Sequence, residues 1–470
     1  MEKQSKEIKD SLPAKELFLM GAALFSMHFG SSSMTWPMNW GKESGSSVFI
    51  AFIGVLITAL LMPMLAYVAL VRGEGTYNTL TKKIMPKFGS IFTTITILML
   101  GPLYVVPRMS ASSWDGIVQA TGFETSSKLP IIIFSIIFYL VTYWFLAGRS
   151  DTMDKIGKIL FPVLLIIVVC IIGKGLLDPI SKTWAPKSYE GSAFSYGFTG
   201  GYATGDILCA LVFGIVILNN LRAKGVTEKN MNSNIIKVGI CGIGMLTLSH
   251  LGHMVIGATT GGAMGPTGDL TYVKLYTKVA FLLLGGSGGV LYCVALAIAS
   301  LTTAVGITAA AAEFFEDVSN KKISYKTAVI VVCVSSTLVG AIGLDNILAY
   351  VGPLLDSLSP ALIILILFYV FVPKVNDKRC LFAARCTMYA SFVYGILDAI
   401  YAYNSLCGWN LNTFESLYLK MPLANMKLSW VVGCAIVALL SYVFYQLDKK
   451  QVIKNVKVSE WKLKKFIKPY

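Results

Sequence analysis

Charge is scarce in this sequence. Asp, Glu, Lys and Arg make up 14% of its 470 residues, where a soluble protein carries about 25%. Histidine is scarcer still: His28, His250 and His253 are all there are. Three histidines do not build a zinc centre of the usual kind. The nine cysteines (Cys170, Cys209, Cys241, Cys293, Cys333, Cys380, Cys386, Cys407 and Cys434) form no metal-type pair. Most lie in apolar stretches and read as small core residues. No Gly-x-x-x-x-Gly-Lys-Ser/Thr loop occurs, so ATP hydrolysis is not built in. Charged residues run through about the first 16 positions, and no small-residue cleavage site follows the first apolar run. That run is therefore expected to stay as a helix in a membrane.

Hydrophobic residues make up 55% of the chain, and apolar runs of roughly 20 residues, the length that spans a bilayer, recur throughout. The expected fold is an all-α polytopic membrane protein with about twelve transmembrane helices. The runs are 17–39, 46–71, 90–119, 130–147, 156–176, 196–221, 235–259, 286–315, 326–343, 346–372, 381–403 and 429–447. Residues 346–360 are weakly apolar and read equally as a separate short helix. A division follows: a tail at 1–16, a core of ten helices at 17–372, two further helices at 373–447, and a basic tail at 448–470. With the N-terminus in the cytoplasm, about thirty Lys and Arg fall on the inner side and about nine outside, as the positive-inside rule requires. Both termini are then cytoplasmic. The net charge of +15 is explained by topology, and nucleic-acid binding is not expected. No soluble segment is large enough for an active site, and the spans lack the His, Asp, Glu or Cys cluster of a membrane enzyme. The stretch "TYVKLYTKVAFLLLGG" (271–286), which begins within the loop 257–278, is amphipathic at its start, which suits a helix lying on the membrane or capping an outer vestibule.

Two of the runs interrupt themselves. The first contains "FSMHFGSSSMTWPMNWG" (25–41), with Gly30-Ser31-Ser32-Ser33 followed by Pro37. The sixth contains "FSYGFTGGYATGDILCALVFGIVILNN" (194–220), with Gly197, Gly200, Gly201 and Gly205 just ahead of Asp206. One Gly costs a helix interior about 1 kcal/mol relative to Ala. Small residues also let membrane helices pack closely. The alternative is that both helices unwind at mid-membrane. Their placement favours unwinding: each opens a set of five helices, and five crossings separate them, so they run in opposite directions. Interrupted helices at corresponding places of inverted halves point to a transporter site. Unwound backbone leaves N–H and C=O groups bare. In hydrocarbon that is tolerated only where water, an ion or a substrate satisfies them. Amides at a half-helix start favour a carboxylate, so Gly30, Ser31, Ser32 and Ser33 are expected to form a socket for a charged small molecule, a cation, or both.

Four stretches, "GPLYVVPRMSAS" (101–112), "GYATGDILCALVFGIVILN" (201–219), "RAKGVTE" (222–228) and "LTTAVGITAAAAEFF" (301–315), resemble the signature segments of the branched-chain amino acid carriers of the BrnQ-type, system II family. The resemblance runs from about residue 17 to the last span. It implies a five-plus-five inverted repeat of the leucine transporter fold, with helices 1 and 6 broken and two further helices. It also implies symport of leucine, isoleucine or valine with a cation, mostly sodium and in some members a proton, and no cofactor beyond that ion. The first break departs from the family's Gly-Ala-Gly-Asn and Phe-Pro-Pro: serine stands at the Asn position and one proline is lost.

Asp206, an acid at membrane depth, is expected to hold a substrate ammonium or complete an ion site, or else to cap the helix that follows Gly205. Arg108, within the third run, needs an anionic partner. Asp115, about two turns on, and Asp206 are the candidates, and a gate or charge-balancing role is expected. By resemblance, Thr303 and then Thr302 are sodium ligands. Gly201 and Tyr202 are placed at the substrate, with Tyr202 as part of its apolar wall. Ordinary packing is expected of Phe25, Phe29, Trp36, Phe198 and His28. His250 and His253 are read as structural rather than as a proton relay. The expected partners are a small amino acid and the lipid bilayer, with no obligate protein partner. Competing readings are a proton-coupled carrier of another zwitterion, and a channel or nutrient sensor on the same fold.

Overall fold

The computed structural model describes residues 11–123, 127–148, 152–264, 270 and 272–449. The tails at 1–10 and 450–470, and Thr271 of the amphipathic segment, lie outside them. All regular structure among the described residues is helical. In chain order the α-helices are α1 (Ala14–His28), α2 (Ser31–Ser44), α3 (Val48–Val55), α4 (Met62–Arg72), α5 (Tyr77–Ile84), α6 (Gly89–Leu98), α7 (Val105–Thr121), α8 (Leu129–Leu146), α9 (Thr152–Lys155), α10 (Phe161–Leu177) and α11 (Ala193–Tyr202). They continue with α12 (Asp206–Ala223), α13 (Glu228–Met264), α14 (Tyr272–Leu284), α15 (Gly286–Val318), α16 (Tyr325–Gly340), α17 (Leu344–Asp356), α18 (Ser359–Phe371), α19 (Lys378–Cys407), α20 (Asn412–Leu419) and α21 (Ser429–Lys449). Each of the twelve apolar runs is occupied by helix.

Among the described residues, eight continuous helical stretches are long and apolar enough to cross a membrane alone. One of them, Ser31–Arg72, has 42 residues. Straight, it would reach about 63 Å, twice the hydrocarbon thickness of about 30 Å. It turns at Gly45, whose φ of +47° is left-handed and opens a short 3₁₀ segment, Gly45–Ser47. The weakly apolar stretch expected near residue 346 is indeed a separate helix: α17 is bent by 116° from α16, and α18 follows after a two-residue break.

Apolar side chains face outward where a soluble protein would show charge. Ile133, Leu140 and Trp144 of α8, Ile166 and Val169 of α10, and Leu439 of α21 are exposed. Polar side chains gather inside: Ser26, His28, Arg108, Asp206, Thr302 and Thr303 are all buried. The bundle is brought together by backbone contact at glycines, the small-residue mode of helix association in lipid. A Cβ on Gly41 of α2 would lie 1.9 Å from the Met254 carbonyl of α13, and one on Gly257 would lie 2.0 Å from the Met38 carbonyl. Gly197 of α11 meets the Ala51 carbonyl of α3 in the same way, at 1.8 Å. Helix α1 thereby sits in the middle of the molecule, packed against α12, α13 and α15.

Candidate functional site

The first break is shorter than the sequence suggests. Helix α1 closes with Phe29 N–H donating to the Phe25 carbonyl at 2.7 Å, and α2 opens with Met34 N–H donating to the Gly30 carbonyl at 3.0 Å. Only Phe29 and Gly30 are non-helical. Ser31, Ser32 and Ser33 form the first turn of α2 rather than an unwound loop, and among the described residues their amides donate to no backbone carbonyl. Gly30 is extended, with ψ of −171°, and a Cβ there would lie 2.7 Å from Thr303 Oγ1. The glycine is needed because α15 passes so close.

Thr303 and Thr302 grip the end of α1. The Thr303 hydroxyl donates to the Met27 carbonyl at 2.7 Å. The Thr302 hydroxyl donates to the Ser26 carbonyl at 2.6 Å and lies 2.9 Å from the Ala299 carbonyl. Two hydroxyls and three carbonyls are thus paired where α1 meets α15, all hard oxygens of the kind that suits a small cation. The Ser33 hydroxyl donates to the His28 carbonyl at 2.9 Å, which also accepts from Gly30 N–H at 2.8 Å.

The second break falls at 203–205, between α11 and α12. Gly205 has φ of +75°, a left-handed turn that starts α12. The Thr204 hydroxyl donates to the Gly201 carbonyl at 2.9 Å and accepts from Asp206 N–H at 3.3 Å. The Asp206 carboxylate makes no cap bond. It reaches across to the first break instead, where Oδ1 lies 3.0 Å from His28 Nδ1. The other imidazole nitrogen, Nε2, lies 2.5 Å from the Tyr67 hydroxyl of α4. A neutral ring protonated at Nδ1 donates to Asp206 and accepts from Tyr67; a protonated ring donates to both. Asp206 Oδ2 is buried and has no hydrogen-bond partner among the described residues. The packing role expected of His28 is therefore corrected: it ties the two breaks together. Its signal was in the sequence, since an ionisable residue immediately before a mid-membrane break is costly unless it has a partner.

Arg108 finds neither expected carboxylate. Asp115 accepts from Gln119 Nε2 at 3.4 Å and Asp206 is held by His28. The guanidinium donates instead to the Tyr104 hydroxyl and to Ser32 Oγ, each at 3.1 Å. The rings of Tyr104 and Trp36 flank it, at 4.8 and 5.8 Å from Cζ.

Of the glycines singled out in the sixth run, Gly197, Gly200 and Gly201 lie within α11 and only Gly205 is in the break. A Cβ on Gly201 would lie 2.4 Å from Thr58 Oγ1, and one on Gly200 2.8 Å from the Trp40 ring; both serve close packing in this conformation. Tyr202 is buried, and its hydroxyl has no hydrogen-bond partner among the described residues. His250 and His253 bond carbonyls one turn back, those of Leu246 and Ser249, at 3.0 and 2.7 Å.

The segments that carry this geometry also carry the likeness to known proteins. The family model described as "Branched-chain amino acid transport protein" matches residues 13–448. The branched-chain amino acid permease BraB of Bacillus subtilis is 31% identical over 441 residues, covering 93% of this chain and 97% of its own. The branched-chain amino acid transport system 2 carrier protein of Pseudomonas aeruginosa is 31% identical, covering 91% and 95%. The BrnQ permease of Escherichia coli K12 is 29% identical, covering 94% and 99%. Among solved structures, Mhp1, a nucleobase-cation-symport-1 family transporter with bromovinylhydantoin bound, aligns with a TM-score of 0.59 at 16% identity, over 92% of this chain and 93% of its own. MhsT in complex with L-phenylalanine aligns with a TM-score of 0.53 at 14% identity, over 83% and 99%. The fold is thus the one Mhp1 and MhsT share, the leucine transporter fold, the relatives are permeases and carriers rather than enzymes, and the chain belongs to the branched-chain amino acid transport protein family.

Proposed function

We propose that this chain is a secondary carrier that brings leucine, isoleucine or valine into the cell by symport with a cation, sodium being the coupling ion. The observation that carries the reading is the pair of helix breaks, at 29–30 and 203–205, facing each other across the core. The names of the relatives support the substrate class. Sodium is supported by the oxygens where α1 meets α15: the carbonyls of Ser26, Met27 and Ala299 with the hydroxyls of Thr302 and Thr303. Bound there, a cation would be held by the carbonyl oxygens and the hydroxyl lone pairs, the hydroxyl protons turning away, and would tie α1 to α15. The amino acid would then lie between the breaks, with Asp206 Oδ2 open to its ammonium and its carboxylate toward the start of α2. Rocking of one group of helices against the other would open the site inward. The positive-inside count supports a place in the cell membrane with both termini cytoplasmic.

Purified protein in proteoliposomes tests this. At fixed pH, an inward sodium gradient should drive concentrative leucine uptake, and Thr303→Val should weaken the sodium dependence. Equal accumulation in sodium-free medium under a pH gradient would overturn sodium coupling. That outcome would favour a second reading, proton coupling, which the buried His28–Asp206–Tyr67 chain supports. Saturable uptake itself separates a carrier from a channel or a sensor.

A further inference from the structure

We propose that Arg108 is a substrate ligand, the side chain that takes the carboxylate of the transported amino acid. The inference rests on the reading of this chain as an amino acid carrier and gives Arg108 a binding role in place of a gating one.

Arg108 is 3% exposed and lies on the first turn of α7, just past the kink at Gly101 and Pro102. Among the described residues no carboxylate lies within ion-pair distance of it, and Nε is buried with no acceptor. Its two acceptors are the neutral hydroxyls of Ser32 and Tyr104. The flanking aromatic rings offset part of the cost of burying it. A guanidinium at membrane depth without an anion is still costly, and such a residue marks the path of a charged substrate.

A second observation lies at the same place. Ser32, the acceptor of the Arg108 NH2 group, is in the first turn of α2. The amides of Ser31, Ser32 and Ser33 donate to no backbone carbonyl among the described residues, so the positive end of the α2 dipole is open there. The guanidinium and the helix start thus meet with no protein anion between them. A substrate carboxylate satisfies both: the planar fork of Arg matches its two oxygens, and the amides supply further donors. The Ser32 hydroxyl holds the guanidinium in place until the substrate arrives. The ammonium of the same zwitterion goes to Asp206, whose Oδ2 is bare. One positive and one negative protein group are then each matched by the opposite end of one small molecule.

The test is the ratio of binding of leucine to binding of leucinamide, which keeps the ammonium and the side chain but carries no anion. Measurements are made at about pH 6, below the ordinary α-amino pKa, so that both ligands are cationic at nitrogen. Wild type should prefer leucine at least a hundredfold. Arg108→Gln should weaken leucine at least tenfold and leave leucinamide within threefold, so that the ratio collapses. Arg108→Lys keeps the charge without the fork and should give an intermediate ratio; it also serves if the Gln variant does not yield folded protein. A folded variant of either kind that weakens both ligands equally, or keeps the wild-type ratio, overturns the proposal, as does a wild type that does not distinguish acid from amide. If wild type ignores leucine and takes another amino acid, the substrate class falls, and the acid-to-amide ratio for that ligand decides the role of Arg108 in the same way.

Discussion

Asp206→Asn separates a ligand from a structural prop. The asparagine fits the same space, and its carbonyl oxygen can still accept from His28 Nδ1, now 3.0 Å from Oδ1. With that oxygen toward His28, the amide NH2 takes the place of Oδ2, the buried atom that has no partner. A donor then faces any ammonium or cation that Oδ2 would have accepted. A hydrogen bond to a charged group contributes about 1.5–3 kcal/mol and a neutral one about 0.5–1.5. Because a donor facing the ligand forms no bond to it, the charged bond is lost outright, about 1.5–3 kcal/mol, a factor of ten or more in affinity. Binding of labelled leucine to detergent-purified protein, measured across sodium concentrations, should show this drop while thermal stability changes little. His28→Phe acts differently. It strands the carboxylate in the core, and breaking a buried pair from one side costs about 3–5 kcal/mol of stability. The double variant His28→Phe/Asp206→Asn should regain much of that stability without regaining leucine binding. An Asp206→Asn protein that binds both leucine and sodium with wild-type affinity would refute the reasoning and leave Asp206 as a tie between two helix breaks.

Gly30→Ala should abolish transport, because the new Cβ would lie 2.7 Å from Thr303 Oγ1 and 3.3 Å from Cγ2, an overpacking that costs about 1–3 kcal/mol. Adding Thr303→Ala removes both atoms and should restore folded yield but not sodium dependence; a double variant with wild-type sodium dependence would show that Thr303 is only packing. Gly41→Val and Gly257→Val should each lower the yield of monodisperse protein sharply, since each adds bulk against a backbone carbonyl about 2 Å away. Normal yield from either would mean that α2 and α13 can part at no cost. Ser32→Cys should react with a polar thiol reagent and be protected by leucine; a thiol that is labelled at the same rate with and without leucine would place the substrate elsewhere.

Much of this site was legible in the sequence as punctuation. Gly30 within an apolar run and Gly205 ahead of Asp206 mark where a helix has to stop, and the structure breaks the chain at 29–30 and 203–205. The other glycines were ambiguous, because glycine weakens a helix and also admits a neighbouring backbone. Gly197 and Gly201 turn out to make room for a neighbour, the Ala51 carbonyl and the Thr58 hydroxyl. No property of residues 194–202 distinguishes the two uses; what decides is which helix lies alongside.

The sequence alone determined the membrane setting, the number and order of the apolar runs and the two weak points, because each depends on local composition: length of an apolar run, charge at its ends, helix propensity at a turn. Partnership depends on which segments are brought together, and only the tertiary structure decided it. Asp206 meets His28, 178 positions away in the chain, and Arg108 meets Ser32, 76 positions away. Spacing along one helix offered Asp115 to Arg108, but in the fold Asp115 bonds Gln119. An ionisable side chain buried in the bundle takes the polar atoms that packing sets beside it, and packing of α1, α7, α12 and α15 is a property of the whole chain.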